Sequence, residues 1–494
     1  MKRFITLYFL LFLTLSSMGQ STWNESIEME ERPYFTEHFS VEEFAERRVS
    51  VYEAIGSQGV ALIQGAPMPM GFEAFRQNNE FYYLSGIESP FAYLLLDGAL
   101  QEATVYVQDR NERREYNEGK MLSYQDAELI KTLSGIDHVK HVGEFRDDIA
   151  ALNRTSSSLQ WYTPMSAYEN LKVTRSMARR TLADRELDPM DDRPGRHVEF
   201  IAHLQDMTPT VEWQNLDPII DELRKIKSEA EIELIEWSTH LQGEAILEAM
   251  RSTKPGVTAN ELEATSRYIF WKNGIEEEAY YALIHVGPDA YMNHYHNSQR
   301  PARPGDMILM DYGPVYKYYT SDMARMWPVD GVFNPVQREL YTFYLELYEA
   351  ILENIEIGLT PQQVYQNALD DFDEVFPTLT FTHEHHKEAA IAFVDSYRER
   401  ALNPRTGLGH GVGMAVHDVG DYSKPIEPGM VFVIEPQFRI PEERVYVRLE
   451  DMIIIREDGP DVITDRYPRD MKSIEAIMRE EGMLQRFDVK PDLY

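Results

Sequence analysis

The chain has 494 residues, enough for two or three domains at roughly 150 residues each. Its hydrophobic fraction of 43% and aromatic fraction of 12% are typical of a folded protein with a large core, and the absence of cysteine excludes disulfides, thiol nucleophiles and Cys-based zinc sites. Acidic residues outnumber basic ones by 83 to 48, and a net charge of −35 argues against nucleic acid or an anionic membrane surface as a partner.

The first predicted element is a signal peptide at residues 1–19. A basic pair, Lys2-Arg3, precedes an apolar run at 4–15, and small residues follow. The run is shorter than the ~20 residues that span a bilayer, which favours cleavage over the alternative of an uncleaved anchor. We therefore expect an exported protein, periplasmic or secreted, with a flexible polar segment at 20–40 and no stable membrane insertion.

The next segment is predicted to be an α/β domain over 41–220. The periodicity predicts strands at 59–65, 91–98 and 103–109, which are rich in β-branched or apolar residues and are bounded by Gly, Pro or Asp. A helix over 40–55 precedes them, and alternating helices and strands are typical of an α/β fold.

A second domain is predicted to follow. Ser228 and Glu231 have the spacing of a capping box at the start of a helix, and so do Thr258 and Glu261. The predicted parts are a strand-rich domain at 221–466, helical blocks within it at about 335–375 and 387–400, and a C-terminal extension at 467–494.

Two aspartates in the stretch DMILMDYGPVYKYYTSDMARMW stand in apolar, aromatic surroundings. The stretch predicts two strands joined by a two-residue turn at Tyr316-Lys317, which would place Asp311 directly opposite Asp322. Like charges in that position repel each other and destabilise the strand pair. A divalent cation between the two carboxylates would turn the repulsion into coordination.

Three further side chains place a charge or an imidazole where the pattern indicates core. His410 lies in GLGHGVG, Glu435 ends the apolar strand MVFVIEP, and Glu450 lies within RVYVRLEDMIII, on the same strand face as Arg448. Each has an ordinary alternative: a core histidine, a strand end that faces water, and a structural ion pair. Together with the two aspartates they form a mostly oxygen ligand set that suits ions such as manganese. Four carboxylates balance two divalent cations, and two metals about 3.5–4 Å apart can activate a water for hydrolysis.

This pattern resembles the metal site of the pita-bread metallopeptidases, the family of methionine aminopeptidase, aminopeptidase P (Xaa-Pro aminopeptidase) and prolidase. The matching motifs are MDYG and SDMAR for the aspartates, GHGVG for the histidine, and PGMVFVIEP and VRLED for the glutamates. RRVSVYEAIGSQGVALIQG and FRQNNEFYYLSGIESPFAYLLLDG are similar to the N-terminal domain of aminopeptidase P, which methionine aminopeptidases lack. The resemblance implies an α/β N-terminal domain followed by an α+β pita-bread catalytic domain.

The resemblance also implies a role for each position in the metal site. Asp322 and Glu450 would bridge two metals, Asp311 would complete one site, and His410 and Glu435 would complete the other. The expected ions are Mn²⁺, with Co²⁺ or Zn²⁺ as alternatives. Glu435 would also take the proton from the bridging water as it attacks the peptide carbonyl.

Other residues match positions around the reacting peptide. His294 corresponds to a substrate-contacting histidine of aminopeptidase P, and His417 to one that polarises the scissile carbonyl or steadies the tetrahedral intermediate. Arg448 corresponds to an arginine that orients the carboxylates and limits their repulsion. Thr406 departs from the pattern, because aminopeptidase P and prolidase commonly have another histidine there, and this departure bears on substrate preference.

A separate histidine-rich motif, HEHHK, begins at His383 and resembles a zinc-protease motif. The match fails because Lys387 stands where the second ligand histidine should be. His383, His385 and His386 are therefore predicted to lie in a polar loop, with adventitious metal binding as the alternative.

The sequence thus predicts an exported, two-domain metallopeptidase that removes the N-terminal residue from peptides with proline in second position. The nearest alternative is a prolidase-like enzyme limited to Xaa-Pro dipeptides. A third interpretation keeps the fold without the metal, as in creatine-type hydrolases or non-catalytic binding modules. Relatives are often dimers or tetramers, so a homo-oligomer is expected.

Overall fold

The computed structural model describes residues 34–155, 158–168, 174–275, 277–297 and 299–486. The predicted signal peptide lies outside these residues, as do most of the predicted flexible segment and the last part of the predicted C-terminal extension. Within the described ranges, no helix is both long enough and apolar enough to cross a bilayer.

The described chain divides into two compact units. The first comprises the residues up to Ser166 together with Arg193–Asp217, and the second comprises Ala167–Asp192 and the chain from Pro218 onwards. The chain therefore passes from one unit to the other after Ser166, after Asp192 and again after Asp217. The last of these points is close to the domain boundary predicted at 220–221.

Local sequence fixes where several helices begin. Both predicted capping boxes form, Ser228 with Glu231 and Thr258 with Glu261, so that side chains satisfy backbone N–H groups of the first turn. The helices of the described chain are α1 (Val41–Ile55), α2 (Asn79–Ser85), α3 (Glu112–Glu118), α4 (Ala127–Ser134), α5 (Phe145–Thr155), α6 (Arg175–Arg185), α7 (Arg196–Met207), α8 (Asp217–Lys225), α9 (Glu229–Ser252), α10 (Ala259–Lys272), α11 (Pro335–Glu353), α12 (Pro361–Val375), α13 (Glu384–Leu402), α14 (Met471–Ile477) and α15 (Met483–Arg486).

The strands of the described chain are β1 (Gly59–Gln64), β2 (Tyr93–Asp97), β3 (Glu102–Val107), β4 (His138–His141), β5 (Gln160–Thr163), β6 (Trp213–Asn215), β7 (Glu277–Glu278), β8 (Leu283–Val286), β9 (Met307–Asp311), β10 (Pro314–Tyr316), β11 (Tyr319–Thr320), β12 (Ala324–Pro328), β13 (Val431–Ile434), β14 (Gln437–Ile440), β15 (Val445–Arg448), β16 (Asp451–Arg456) and β17 (Gly459–Val462).

The first unit is built on one mixed sheet with the strand order β4-β3-β2-β1-β5-β6. The strands β1, β2 and β3 pair antiparallel, and the other neighbours pair parallel. Phe145 of α5 and Phe200 of α7 pack on the sheet residues Leu62 and Leu95. This burial explains why the predicted strands are so apolar, and the α/β character predicted for this part of the chain is confirmed.

The second unit contains the larger core. Small antiparallel sheets, β12-β9-β8 and β13-β16-β17 among them, pack with helices α9 to α13 around one hydrophobic cluster. Two tyrosines of α11 reach from this core to groups next to Glu435 and Glu450. Tyr344 donates to the Pro436 carbonyl at 2.8 Å, and Tyr348 donates to the Asp451 carboxylate at 2.8 Å. The helix thus positions two strand ends through buried hydrogen bonds.

The hairpin that carries the two aspartates has a different register from the predicted one. Lys317 and Tyr318 form the turn, and Asp311 pairs with Ala324. The predicted direct pairing of Asp311 with Asp322 is therefore wrong. Moving the turn by one residue shifts each partner by two positions, so Asp322 lies diagonal to Asp311 but on the same face of the hairpin.

A second antiparallel pairing carries the two glutamates. The pairs β13 with β16 and β14 with β15 keep one register, and the pairing is interrupted at residues 435–436 and 449–450. Glu435 and Glu450 take opposite positions in this interruption. In both hairpins the carboxylates therefore stand where regular strand pairing stops.

Replacing Lys317 with asparagine should stabilise the second unit by roughly 0.5–1 kcal/mol. Both turn residues have positive φ, 45° at Lys317 and 78° at Tyr318, which asparagine tolerates better than lysine. The shift in the midpoint of urea denaturation measures the change. Lys317→Gln is the matched control, since it removes the charge without favouring positive φ; equal effects of the two variants would contradict this turn.

Candidate metal centre

The five side chains predicted as metal ligands converge in the second unit. Ligand atoms of Asp311, Asp322 and Glu450 lie within 4.8 Å of one another, and so do those of His410, Glu435 and Glu450. The two groups share Glu450, and His410 Nε2 also lies 3.5 Å from Asp322 Oδ2. Residues from five separate motifs thus form one cluster.

The two aspartates are almost fully buried and share a hydrogen-bond donor. The hydroxyl of Tyr280, just after β7, lies 2.5 Å from Asp311 Oδ1 and 2.9 Å from Asp322 Oδ1. The diagonal register places both carboxylates on one face, and Tyr280 holds them side by side. A donor of this kind orients carboxylates around a metal.

One guanidinium offsets part of the negative charge. Arg448 Nη2 lies 2.9 Å from Asp311 Oδ2 and 3.1 Å from Glu435 Oε2, and it also bonds Glu450 Oε2. Arg448 thus contacts three of the four carboxylates. The remaining negative charge of the cluster is large, because one positive charge faces four acidic groups in a largely buried site.

The glycine before His410 is dictated by packing. A Cβ at Gly409 would lie 1.9 Å from the carbonyl oxygen of Val433 in β13, so a side chain there would force the loop away. The Val433 N–H donates to the His410 carbonyl at 3.1 Å and holds the loop against the strand. His410 Nδ1 lies 3.2 Å from the Gly411 carbonyl, which assigns the proton to Nδ1 and leaves Nε2 facing the carboxylates.

Burial raises the pKa values of two carboxyl groups in the cluster. It is the largest cause for both Asp322 and Glu450, and repulsion from neighbouring carboxylates, Asp311 among them, raises both pKa values further against the opposing effect of Arg448. The protein alone therefore favours protons on these groups. A bound cation would displace those protons, since metal ligands must be deprotonated.

The pKa values of two other groups, Glu435 and His417, are lowered, which suits proton transfer and hydrogen bonding at neutral pH. Burial alone would raise the pKa of Glu435, but Arg448, His410 and His417 together outweigh it and lower that pKa. His417 keeps an exposed face, yet desolvation, and then the His410 ring at a centroid distance of 3.8 Å, lower its pKa to about 3. At neutral pH Glu435 is a carboxylate and His417 is a neutral imidazole.

The donor set fits divalent cations. Glu450 Oε1 is buried and has no hydrogen-bond partner within the described part of the chain. An acceptor left in this way costs free energy unless an ion binds it. Carboxylate oxygens with one imidazole are ligands that manganese, cobalt or zinc accepts.

The remaining predicted residues lie around the cluster. His294 is exposed, and its proximity contributes to the lowered pKa of His417. Its backbone carbonyl accepts a hydrogen bond from the Tyr281 hydroxyl at 3.1 Å. Thr406 is half-buried, and its carbonyl accepts from the Gln362 side chain at 2.9 Å. The loop that leads to His410 is therefore anchored to α12.

Sequence reasoning missed three residues that hold the cluster in place. Arg325 donates to the Glu450 carbonyl at 2.7 Å and pairs with Asp451, and both of these side chains are fully buried. The motifs SDMAR and RLED contain these two residues, so opposite charges inside apolar strands were an available signal. Tyr280 offered no signal, because a tyrosine in an aromatic stretch is ordinary core material.

A buried ion-pair group stands next to His417. Asp418 Oδ1 lies 2.5 Å from Arg224 and Asp418 Oδ2 lies 3.0 Å from Lys227, with all three side chains 1% exposed. The Asp418 N–H donates to the Gly411 carbonyl at 2.8 Å. This group fixes the backbone that presents His417 beside the cluster.

Family comparisons match both parts of the chain. Residues 233–457 match Metallopeptidase family M24, and residues 44–161 match the aminopeptidase P N-terminal domain. The first match contains all five predicted metal ligands, which we call the acidic cluster although one of them is His410.

Similar proteins of known sequence cover most of the chain. The Xaa-Pro aminopeptidase of Escherichia coli K12 is 26% identical over 458 residues, 89% of this chain and 98% of that protein. Xaa-Pro aminopeptidase 3 of mouse is 27% identical over 420 residues, 82% of this chain and 76% of that protein. The mitochondrial intermediate cleaving peptidase 55 of Arabidopsis thaliana is 25% identical over 481 residues, 94% of this chain and 88% of that protein.

Solved structures share the fold. Zinc-substituted E. coli aminopeptidase P in complex with product is 25% identical, with a TM-score of 0.69 over 89% of this chain and 98% of that one. Aminopeptidase PepP of Pseudomonas aeruginosa is 23% identical, with a TM-score of 0.69 over 90% of this chain and 99% of that one.

These matches confirm the predicted fold class, an α/β N-terminal domain followed by a pita-bread catalytic domain. A match to a metallopeptidase family also implies divalent metal ions at the cluster. The chain belongs to the pita-bread metallopeptidases of family M24, in the aminopeptidase P group, and is a hydrolase of the metalloaminopeptidase class.

Proposed function

We propose that this enzyme is a dinuclear-metal aminopeptidase that removes the N-terminal residue from peptides with proline in second position. The observation that carries the proposal is the convergence of two overlapping ligand groups on Glu450. One group contains Asp311 and Asp322, and the other contains His410 and Glu435. Two groups of three ligands with a shared carboxylate support two adjacent ions better than one.

Asp322 and Glu450 are the proposed bridging ligands. Glu450 belongs to both groups, and Asp322 Oδ2 lies near His410 of the second group. Asp311 would complete one site, and His410 with Glu435 would complete the other. The oxygen-rich donor set supports manganese, with cobalt or zinc as alternatives. When bound, the two cations would supply a Lewis acid and a water acidic enough to react at neutral pH.

Glu435 and His417 are the proposed proton-transfer and carbonyl-polarising groups. The lowered pKa of Glu435 keeps it ionised, so its carboxylate can accept the proton of the attacking water. His417 is neutral at pH 7 and can donate a hydrogen bond from its ring N–H to the peptide carbonyl oxygen as negative charge develops there. Arg448 holds Glu435 in place, and His294 is positioned to contact the substrate beside His417.

The preference for proline is the part of the proposal that rests on relatives. Two of the relatives above are named Xaa-Pro aminopeptidases, and one is named an intermediate cleaving peptidase. Thr406, where aminopeptidase P and prolidase commonly have histidine, adds a reason to test the second position of the substrate directly.

Chelating the metal should lower the melting temperature, and the loss should grow as the pH rises from about 4 to 7. The pKa values of Asp322 and Glu450 are raised, so without cations the folded state holds protons that the unfolded chain releases near pH 3.8 and 4.5. That protonation stabilises the folded state at low pH, and the stabilisation is lost as the pH rises through the folded-state pKa values. Bound manganese removes the repulsion between the ionised carboxylates, so the manganese-loaded protein should not lose this stability as the pH rises.

Differential scanning calorimetry of manganese-loaded and chelated protein across this pH range measures the gap in melting temperature. Chelated Glu450→Gln protein is the control, since it has one carboxylate fewer and should depend less on pH. A gap that stays constant or narrows with rising pH would contradict the proposed metal site.

Glu435→Gln should lower kcat by at least about 100-fold because glutamine cannot accept the proton from water. Glu442→Gln, an exposed glutamate in the turn after β14, is the matched control and should retain wild-type turnover. Metal content and melting temperature measured on both variants separate loss of the base from loss of the ions or the fold. Near-normal turnover by Glu435→Gln with ions bound would refute its role as base.

A peptide panel should show cleavage of Ala-Pro-Ala at its first bond, at least about tenfold more efficiently than Ala-Ala-Ala. Release of alanine is followed by mass spectrometry with manganese, cobalt or zinc and with a chelator control. Cleavage of the dipeptide Ala-Pro without the tripeptide would instead assign a prolidase-like activity. Faster cleavage of Ala-Ala-Ala would contradict the proposed preference for proline in second position.

A further inference from the structure

A second group of potential metal ligands lies at the start of α13, outside the acidic cluster. His383, His385 and His386 were predicted to lie in a polar loop, and this is wrong for the last two: α13 begins at Glu384, and His386 is fully buried in its first turn. His385 Nε2 lies 2.6 Å from Glu443 Oε1, and His386 Nε2 lies 3.2 Å from Glu443 Oε2. Ligand atoms of these three residues lie within 4.8 Å of one another.

The ring of His386 lies between two carboxylates. Its Nδ1 faces Glu339 Oε1 at 3.4 Å while its Nε2 faces Glu443. A doubly protonated ring would donate to both carboxylates, whereas a neutral imidazole donates to one and presents a lone pair to the other. Glu339 is held firmly as the acceptor, because its Oε2 accepts from both the N–H and the hydroxyl of Thr382 at 2.7 Å.

This arrangement matches a histidine prepared for a metal. A ligating imidazole commonly donates its other ring N–H to a carboxylate, which fixes the tautomer and directs the lone pair at the ion. With Glu339 accepting from Nδ1, the Nε2 lone pair of His386 points to the space shared with His385 and Glu443. The ring of His383 lies 5.4 Å from that of His385 and 4.9 Å from that of His386 between centroids, but His383 is outside the ligand group.

We propose that His385, His386 and Glu443 bind a single zinc ion, or a similar borderline divalent metal, independently of the catalytic cluster. Two imidazoles and a carboxylate are zinc ligands, and a fourth position filled by water gives the usual tetrahedral number. The ion joins the first turn of α13 to the turn that connects β14 and β15. Those two strands lead from Glu435 and towards Glu450, so the ion braces the hairpin that carries both glutamates.

Zinc counting on intact protein tests the proposal. Chelator-stripped wild-type protein is dialysed against buffered zinc and its zinc content is measured. His385→Gln should bind one zinc equivalent fewer than wild type, and Glu443→Gln should lose the same equivalent. Both positions are partly exposed, with side chains 43% and 38% accessible, so the fold should tolerate the changes.

A matched control is available in His138→Gln. His138 pairs with Glu102 at 2.9 Å and is 49% exposed, much like the pair His385–Glu443, and it belongs to none of the candidate ligand groups found among the described residues. It should keep the full zinc count. Repeating the set in a Glu450→Gln background, where the catalytic cluster is impaired, should show the same loss of one equivalent on His385→Gln.

Anomalous diffraction at the zinc edge from wild-type crystals gives a result that needs no variant. The expected peak lies about 2.0–2.1 Å from the Nε2 atoms of His385 and His386. Equal zinc content in wild type and His385→Gln, or zinc density only at the acidic cluster, would overturn the proposal and leave a histidine–glutamate hydrogen-bond group.

Discussion

Four carboxylates share a largely buried site with one guanidinium. The structure of the second unit depends on how this imbalance of charge is offset. Arg448 reaches Asp311, Glu435 and Glu450, but it cannot neutralise them all. Uncompensated charge in such surroundings costs several kcal/mol per ion. Without cations, the protein lowers that cost by raising the pKa values of Asp322 and Glu450, which favours their protonated forms. Cation binding is the alternative, because a cation attracts the same carboxylates that repel each other.

The fold supports this site from behind with buried polar contacts. Arg325 fixes the backbone of Glu450, Tyr348 and Arg325 both bond Asp451, and Asp418 anchors the loop that presents His417. Both hairpins stop pairing regularly where their carboxylates stand. Rigid strands therefore set the approximate positions of the ligands, while hydrogen bonds from outside the hairpins set their directions.

The parts of this arrangement that sequence predicted are those that a short stretch of residues reveals by itself. A carboxylate inside an apolar strand is conspicuous, so Asp311, Asp322, Glu435 and Glu450 could be found without a structure. Capping boxes are equally local, and both predicted boxes form. Family motifs added the order of the ligands and the two-domain organisation.

What could not be predicted depends on contacts distant in the chain or on backbone detail. The turn at Lys317-Tyr318 has no glycine or asparagine to mark its positive φ, so its position was misjudged by one residue. Tyr280 bonds residues 31 and 42 positions away. The burial of His386 left no local signal, because its two carboxylate neighbours, Glu339 and Glu443, come from other elements.

The central claim is that repulsion among buried carboxylates is resolved by two adjacent cations. Anomalous diffraction at the manganese edge from crystals of the manganese-loaded enzyme tests it most directly. Two peaks about 3.5–4 Å apart, with Asp322 and Glu450 between them, are the predicted result. A single peak, or none within reach of Glu450 Oε1, would contradict it.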